Sequence, residues 1–446
     1  MTIEPSRPAP VTLATALRYW LKLGFISFGG PAGQIAMMHA ELVERRRWIS
    51  EQRFLHALNY CMLLPGPEAT QLAIYIGWLL HRTWGGIVAG VLFVLPSLLL
   101  LIGLGWIYLA YGHLPVIAGL LYGLKPAVVA LVLAAAWRIG RRTLRNGVLA
   151  AIAAAGFVAL LLRLPFPLVV LGAAAIGWLG GRLWPAKFSL GAPAAGSAVR
   201  GYGPALIDDD TPTPAHARFG WRRLIATVAA GMVLVGASWL LLVAVAGRHG
   251  PLAQMGWFFT KAALLTFGGA YAVLPYVYQG AVYQYYWLTP GQMIDGLALG
   301  ETTPGPLIMI VAFIGFVGGW THQPLGGAGW SGIAGAGVAA WFTFLPSFIF
   351  ILAGGPLVEA TRDNIRMTAP LTAISAAVVG VIASLAVFFG LHVFVVAGAV
   401  QWGAIGIAAV AATALLRYQV GTVKLLFACA IAGLVLSYRG GPFQLL

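Results

Sequence analysis

The chain has 446 residues, 60% of them apolar and only 9% charged, with a mean hydropathy of +0.88. Soluble domains carry about 25% charged residues, so this composition excludes a water-soluble enzyme and a nucleic-acid-binding domain; it indicates an all-α polytopic protein of the lipid bilayer. The net charge of +15, from 27 Lys+Arg against 12 Asp+Glu, reads first as membrane orientation and second as an attraction for anions.

Residues Met1 to Pro10 are Pro-rich and lack the basic start and small-residue cleavage site of a signal peptide. A crossing helix needs about 20 mostly apolar residues. In chain order, candidate segments fall near 12–36, 53–80, 85–111, 116–138, 147–162 and 166–184. A polar stretch at 185–220 follows, with the run Asp208-Asp209-Asp210, and reads as a loop of low order. One span at 222–247 precedes six more near 252–278, 291–320, 328–356, 369–396, 401–416 and 421–438, which makes thirteen. With the N-terminus in the cytoplasm, Arg138, Arg141, Arg142, Arg145, Arg182, Arg222, Arg223 and Arg417 all fall inside, as the positive-inside rule requires. One loop dissents: Arg45, Arg46, Arg47 and Arg53 would lie outside. Either Glu41, Glu44 and Glu51 pair with them, or the first two segments do not simply cross.

The chain repeats itself. Phe28-Gly29-Gly30 recurs 239 residues later as Phe267-Gly268-Gly269, and at that shift Lys22 meets Lys261, Trp48 meets Trp287, and Pro65-Gly66-Pro67 meets Pro304-Gly305-Pro306. Farther on, Leu95-Pro96-Ser97 matches Leu345-Pro346-Ser347 at a shift of 250. Rare residues matched in order at constant spacing are not a coincidence of composition. The expected organisation is an N-terminal repeat (1–184), a cytoplasmic loop with a linking helix (185–247), and an inverted C-terminal repeat (248–446). Six crossings return the chain to its starting face, and the extra span admits the second half from the other face. Such inverted repeats are common in secondary transporters, with binding at their interface near the midplane. Inversion needs only an even number of crossings per half, so it survives if segments one and two re-enter, and that variant returns Arg45 to Arg47 to the cytoplasm.

Phe-Gly-Gly and Pro-Gly-Pro both interrupt apolar segments, because Pro lacks an N–H and Gly accepts unusual dihedrals. Broken backbone at membrane depth is tolerated only where protein or a wet cavity surrounds it. A half-helix starting near Glu68, and another after Pro306, would offer free N–H groups to an anion. Charged residues within spans are few: Lys22, Lys261, Lys125, Glu68 and Glu301. A charge at the bilayer centre costs about 2.5–3.5 kcal/mol on the lenient scale, so each faces a cavity, a partner, or, for the two matched lysines, an interface by snorkelling. Glu68 reads as a proton site or a dipole-stabilised carboxylate, and Glu301 as a partner for a lysine. Gln34, Thr70, Gln71, Thr302 and Thr303 complete the candidate set, each with packing or back-bonding as its plainer role. The histidines have no ligand spacing, Cys61 and Cys429 lie far apart, and no metal or cofactor is expected.

Phe28-Gly29-Gly30-Pro31-Ala32-Gly33-Gln34-Ile35, Trp48-Ile49-Ser50 and Pro65-Gly66-Pro67-Glu68-Ala69-Thr70-Gln71-Leu72 resemble the chromate transporter family, as do Thr266-Phe267-Gly268-Gly269 and Thr302-Thr303-Pro304-Gly305-Pro306. The resemblance covers nearly the whole chain and matches that family's long, two-domain form. It implies an exporter of chromate in the cell inner membrane that confers chromate resistance; a homodimer is a further assembly open to it. Members often carry a neutral Gln where this chain has Glu301. A carrier of sulfate or another tetrahedral oxyanion, with chromate as passenger, is the alternative. A membrane-embedded enzyme is a third class, but Glu68, Glu301 and Asp295 have no Ser/His or metal set beside them.

Overall fold

The computed structural model describes residues 7–188, 202–212, 214–267, 269–360, 369–396 and 398–438. In chain order the helices are α1 (Leu13–Ile26), α2 (Gly30–His39), α3 (Glu51–Leu63), α4 (Glu68–Tyr111), α5 (Pro115–Thr143), α6 (Gly147–Leu161), α7 (Phe166–Leu183), the short α8 (Pro185–Phe188), α9 (Trp221–Ala246), α10 (Pro251–Leu264), α11 (Ala270–Tyr278), α12 (Pro290–Thr302), α13 (Ile310–His322), α14 (Ala328–Ala360), α15 (Ala369–Phe394), α16 (Trp402–Leu416) and α17 (Thr422–Tyr438). Six of them, α4, α5, α7, α9, α14 and α15, are long and apolar enough to cross a membrane. The protein is an all-α polytopic membrane protein.

The repeat is visible element by element. Ser50 caps α3 by accepting from the Arg53 N–H, and its counterpart Thr289 caps α12 by accepting from Gln292 in a reciprocal capping box. Both helices run 13 residues and stop before a Pro-Gly-Pro. A π-helical turn follows α2 at Ala40–Arg45, and another follows α11 at Gln279–Gln284.

The segments expected at 12–36, 53–80, 252–278 and 291–320 are not continuous rods. Each is two short helices joined at a break, and at about 1.5 Å per residue none of these pieces spans a bilayer. The first pair doubles back: Trp48, beyond α2, packs edge-on against Tyr19 of α1 at 5.5 Å, and Phe258 and Trp287 repeat this contact at 5.4 Å in the second half. The second pair also returns, since His81 Nε2 at the end of its outer arm lies 2.9 Å from the Val11 carbonyl. α4 is itself two helices, folded back at His81 and Arg82. There the backbones touch, and a Cβ on Gly85 would lie 2.2 Å from the Gly77 carbonyl oxygen. α13 and α14 meet in the same way at Gly315 and Gly335. Small residues permit this close approach of helix axes.

The arginine loop that dissented in sequence is thereby carried back beside α1, where Arg46 lies over the Tyr19 ring. Its charges are partly paired: Arg46 Nε sits 2.6 Å from Glu41 and Arg45 Nη1 sits 3.4 Å from it, which holds the Glu41 carboxyl below the ordinary value. Glu44 and Glu51 instead bracket His39, at 3.1 and 2.5 Å. The described part of the 185–220 stretch is not loose. Ile207 forms a bridge with Ile49, Asp209 accepts from the Ser50 hydroxyl at 2.5 Å, and His216 Nε2 lies 3.0 Å from the Trp78 carbonyl.

The halves interlock reciprocally. α6 and α7 pack on α15, while their counterparts α16 and α17 pack on α5. Gly156 abuts the Ala377 carbonyl, and Gly123 abuts the Cys429 carbonyl. Each half thus lends a pair of helices to a long helix of the other. α9 stands outside this exchange, with Gly231 as its buried residue.

Two predictions follow from these contacts. Gly85→Leu forces a side chain into the Gly77 carbonyl, and overpacking costs about 1–3 kcal/mol or more; the variant unfolds at lower temperature in detergent, whereas Gly172→Leu, which meets open space, does not. Burial pushes the His216 imidazole below the ordinary histidine value, so the fold favours its neutral form. That contribution is complete above the ordinary value of about 6.5 and is lost as pH falls through the lowered one. Limited proteolysis between 202 and 217 therefore accelerates on acidification, and His216→Gln abolishes the acceleration.

Candidate substrate-binding site

The four breaks meet at one crossing. The Gly66 N–H, in the first Pro-Gly-Pro, donates to the Thr266 carbonyl at 2.8 Å, next to the second Phe-Gly-Gly. Reciprocally, the Gly305 N–H of the second Pro-Gly-Pro donates to the Ser27 carbonyl at 2.9 Å, next to the first Phe-Gly-Gly. Each half therefore completes the interrupted backbone of the other.

Glycine is required at these turns. Gly29, Gly30, Gly66, Gly269 and Gly305 have φ of 93°, 71°, 126°, 100° and 107°, a region that side chains with a Cβ rarely adopt. Space adds a second demand. A Cβ on Gly66 would come within 2.5 Å of Ser347 Oγ, and one on Gly305 within 2.6 Å of Ser97 Cβ. Pro67 caps α4 and Pro306 caps the 3-10 turn Leu307–Met309, while Pro65 offers its carbonyl to the site. Pro304 is buried between them.

Two buried glutamines brace the crossing. Gln34 Nε2 donates to the Gly305 carbonyl at 2.6 Å and to the Ser27 carbonyl at 3.1 Å. Gln71 Nε2 donates to the Pro65 carbonyl at 2.8 Å and to Ser347 Oγ at 3.3 Å. Around them lie buried polar atoms with no partner among the described residues: the hydroxyls of Ser27, Thr70 and Ser97, and the amide oxygens of Gln34 and Gln71. An unpartnered buried hydroxyl costs about 1–3 kcal/mol, so a cluster of them points to a group that arrives from outside. Hydroxyl donors of this kind suit the oxygens of a small anion.

Not every expected residue joins the crossing. Glu68 is the first residue of α4, half-buried at the break, without an ion pair among the described residues. Glu301 receives a hydrogen bond from the Tyr271 hydroxyl rather than a lysine. Lys125 pairs with Asp295 at 3.4 Å. Lys22 is exposed, off the face of α1 that buries Ala16, Tyr19, Trp20 and Leu23. Lys261 lies 5.7 Å from the centre of the Trp257 ring, a cation–π contact. Thr302 and Thr303 bond back to the carbonyls of Leu299 and Gly300. Phe28 and Phe267 are half-buried beside their glycines, and Gly268 lies outside the described residues.

Sequence reasoning passed over Ser27, Thr266, Ser97 and Ser347. The signal was present: Ser27 and Thr266 are matched at the shift of 239, and Ser97 and Ser347 close the repeated Leu-Pro-Ser. Pro96 explains part of that motif. It has no N–H for the Leu92 carbonyl, and Gly24 of α1 abuts this carbonyl, where a Cβ would lie 2.4 Å away.

The family model for the chromate transporter matches residues 14–178 and 253–434, one stretch in each half. The chromate transport protein of Cupriavidus metallidurans is 31% identical over 379 residues, covering 83% of this chain and 81% of that protein. The chromate transport protein of Pseudomonas aeruginosa is 33% identical over 387 residues, covering 84% and 80%. An uncharacterized transporter of Methanocaldococcus jannaschii is 25% identical over 375 residues, covering 84% and 83%. No solved structure matches. The two matched stretches cover both halves and their breaks, and the chain belongs to the chromate transporter family.

Proposed function

We propose that this protein is a secondary transporter that carries chromate outward across the cell inner membrane and so confers chromate resistance. The observation that carries the reading is the crossing itself, where reciprocal peptide hydrogen bonds join four helix breaks among orphaned hydroxyls. The relatives' names supply the substrate class. An inside-negative potential favours outward movement of a dianion by about 4.6 kcal/mol per 100 mV, at about 2.3 for each charge, so export requires no nucleotide.

We further read the halves as inverted in the bilayer. The trace of contacts supports this. The α1–α2 and α3–α4 arms enter from the face of the arginine loop and return to it. The second part of α4, then α5, α6 and α7, make four crossings, and Asn146 before α6 bonds to the Lys187 carbonyl after α7, on one face. α9 then crosses alone, and its Trp239 indole reaches the Ala253 carbonyl at the start of α10, so the second half starts from the opposite face. Nine crossings and four re-entrant arms result, in place of thirteen crossings. Arg45 to Arg47 lie on the cytoplasmic face in this arrangement, as the positive-inside rule demands.

The site is built from neutral donors, with its lysines elsewhere. Hydroxyl groups that have no partner among the described residues hold an oxyanion without trapping it, as a carrier requires. Among the described residues Glu68 is the carboxylate at the break with neither a cation nor a tyrosine on it, and we assign it to sensing or exchanging a proton as the dianion passes.

Flux of labelled chromate in proteoliposomes with an imposed potential tests the reading. Outward flux should rise with inside-negative potential; flux that is absent, or indifferent to potential, would refute it, and sulfate carried faster than chromate would reassign the substrate. Gly66→Ala and Gly305→Ala each lower flux by tenfold or more, since strain and the adjacent serine both oppose a Cβ. Ser97→Ala raises KM about fivefold with kcat nearly unchanged, the effect of one hydrogen bond of about 1 kcal/mol. Glu68→Gln flattens the pH dependence of flux; an unaltered profile would remove the assignment of Glu68.

A further inference from the structure

Away from the crossing, two buried polar clusters have the same chemical makeup. In the first, Glu359 at the end of α14 accepts from the Tyr75 hydroxyl at 2.5 Å and faces the Arg53 guanidinium at 3.9 Å. In the second, Asp295 of α12 accepts from the Tyr108 hydroxyl at 2.9 Å and faces the Lys125 ammonium at 3.4 Å. Each comprises one carboxylate, one cation and one tyrosine. Both carboxylates are nearly inaccessible, with side chains 4% and 5% exposed.

Their placement corresponds as well. His56 and Asp295 occupy equivalent positions, 239 residues apart, on the arms that lead to the two Pro-Gly-Pro breaks. His56 Nε2 meets the Val358 carbonyl at 3.2 Å, and position 358 is the counterpart of Tyr108 at the shift of 250. In both clusters, a broken arm of one half is tied to the long helix of the other. The first lies by the arginine loop, where Arg53 also bonds the Thr211 carbonyl at 2.5 Å. The second lies toward the other end of the second part of α4, away from the His81 fold.

Buried ion pairs contribute little net stability, because desolvation offsets their attraction. In some proteins they serve instead to select one arrangement over another. Alternating access requires two closures of comparable strength, one at each face, opened in turn. From this correspondence we propose that the Arg53–Glu359–Tyr75 and Lys125–Asp295–Tyr108 triads are the two gates of the transport cycle, the first on the arginine-loop face and the second on the opposite face. This rests on the transport reading above. A triad parts when its arm swings away from the long helix of the other half, and the intact triad at the other face keeps the crossing closed there.

Sided cysteine labelling tests the gates separately from transport. In the full chain carrying Cys61→Ala and Cys429→Ala, a single reporter cysteine is placed at the crossing as Thr70→Cys, and in a second series as Ser97→Cys. Each is exposed to a membrane-impermeant maleimide in vesicles of either orientation. Glu359→Gln should raise labelling from the arginine-loop face about tenfold, a shift of about 1.4 kcal/mol in the opening equilibrium, and leave the opposite face unchanged. Asp295→Asn should do the reverse. Tyr75→Phe and Tyr108→Phe keep the ion pairs and ring volumes, and should give the same sidedness at smaller size if the charge variants fold poorly. Labelling that rises from one common face, from both faces or from neither would overturn the gates. Chromate flux of the unmodified protein is read in matching vesicles: no flux would refute the transport reading, whereas flux with unsided labelling would refute the gates alone.

Discussion

Two peptide hydrogen bonds hold the centre of this protein together, Gly66 to Thr266 and Gly305 to Ser27. In hydrocarbon an unpaired N–H or carbonyl costs several kcal/mol. A chain that breaks its own helices at membrane depth must therefore find partners elsewhere, and here each half finds them in the other. The left-handed glycines, the absent Cβ atoms facing Ser97 and Ser347, and the bracing of Gln34 and Gln71 all serve this exchange. Neither half could close its backbone alone, so the fold and the candidate site are one construction.

The same constraint shapes the electrostatics. Filling the crossing with lysines would give a dianion a deep well from which it could not leave. The protein instead places hydroxyls there, while the peptide N–H groups of Gly66 and Gly305 and the amide N–H groups of Gln34 and Gln71 are engaged within the protein. Lys125 is engaged with Asp295, Lys261 with the Trp257 ring, and Lys22 is exposed on α1. Much of the positive charge is concentrated in loops such as Arg45–Arg47 and Arg141–Arg145, which under the proposed arrangement would orient the chain.

Much of this was legible in the sequence because glycine and proline act locally. Phe-Gly-Gly and Pro-Gly-Pro announce breaks wherever they stand, and their recurrence at one spacing announces the repeat. Charge was a poorer guide. A lysine in an apolar segment does not reveal which way it faces, and the partner of Lys125 lies in the other half, beyond any local pattern. Hydroxyls were poorer still. Thr343 bonds back to the Ala339 carbonyl of its own helix, whereas Ser97, in an equally apolar helix, leaves its oxygen without a partner among the described residues, beside Gly305; nothing in the neighbouring residues separates the two. The direction of the first two segments was undecided in sequence because a broken helix and a re-entrant arm have the same apolar length. The meetings of Trp48 with Tyr19 and of Trp287 with Phe258 show each pair folded back on itself, and the proposed re-entrant arrangement rests on them.

The most direct measurement is the position of a bound oxyanion. Crystals of the protein grown with chromate and recorded at the chromium absorption edge would give one anomalous peak per chain between Gly66 and Gly305, within hydrogen-bonding reach of the hydroxyls of Ser27, Thr70 and Ser97. A peak beside Lys22 or Lys261 instead, with the crossing empty, would contradict the account.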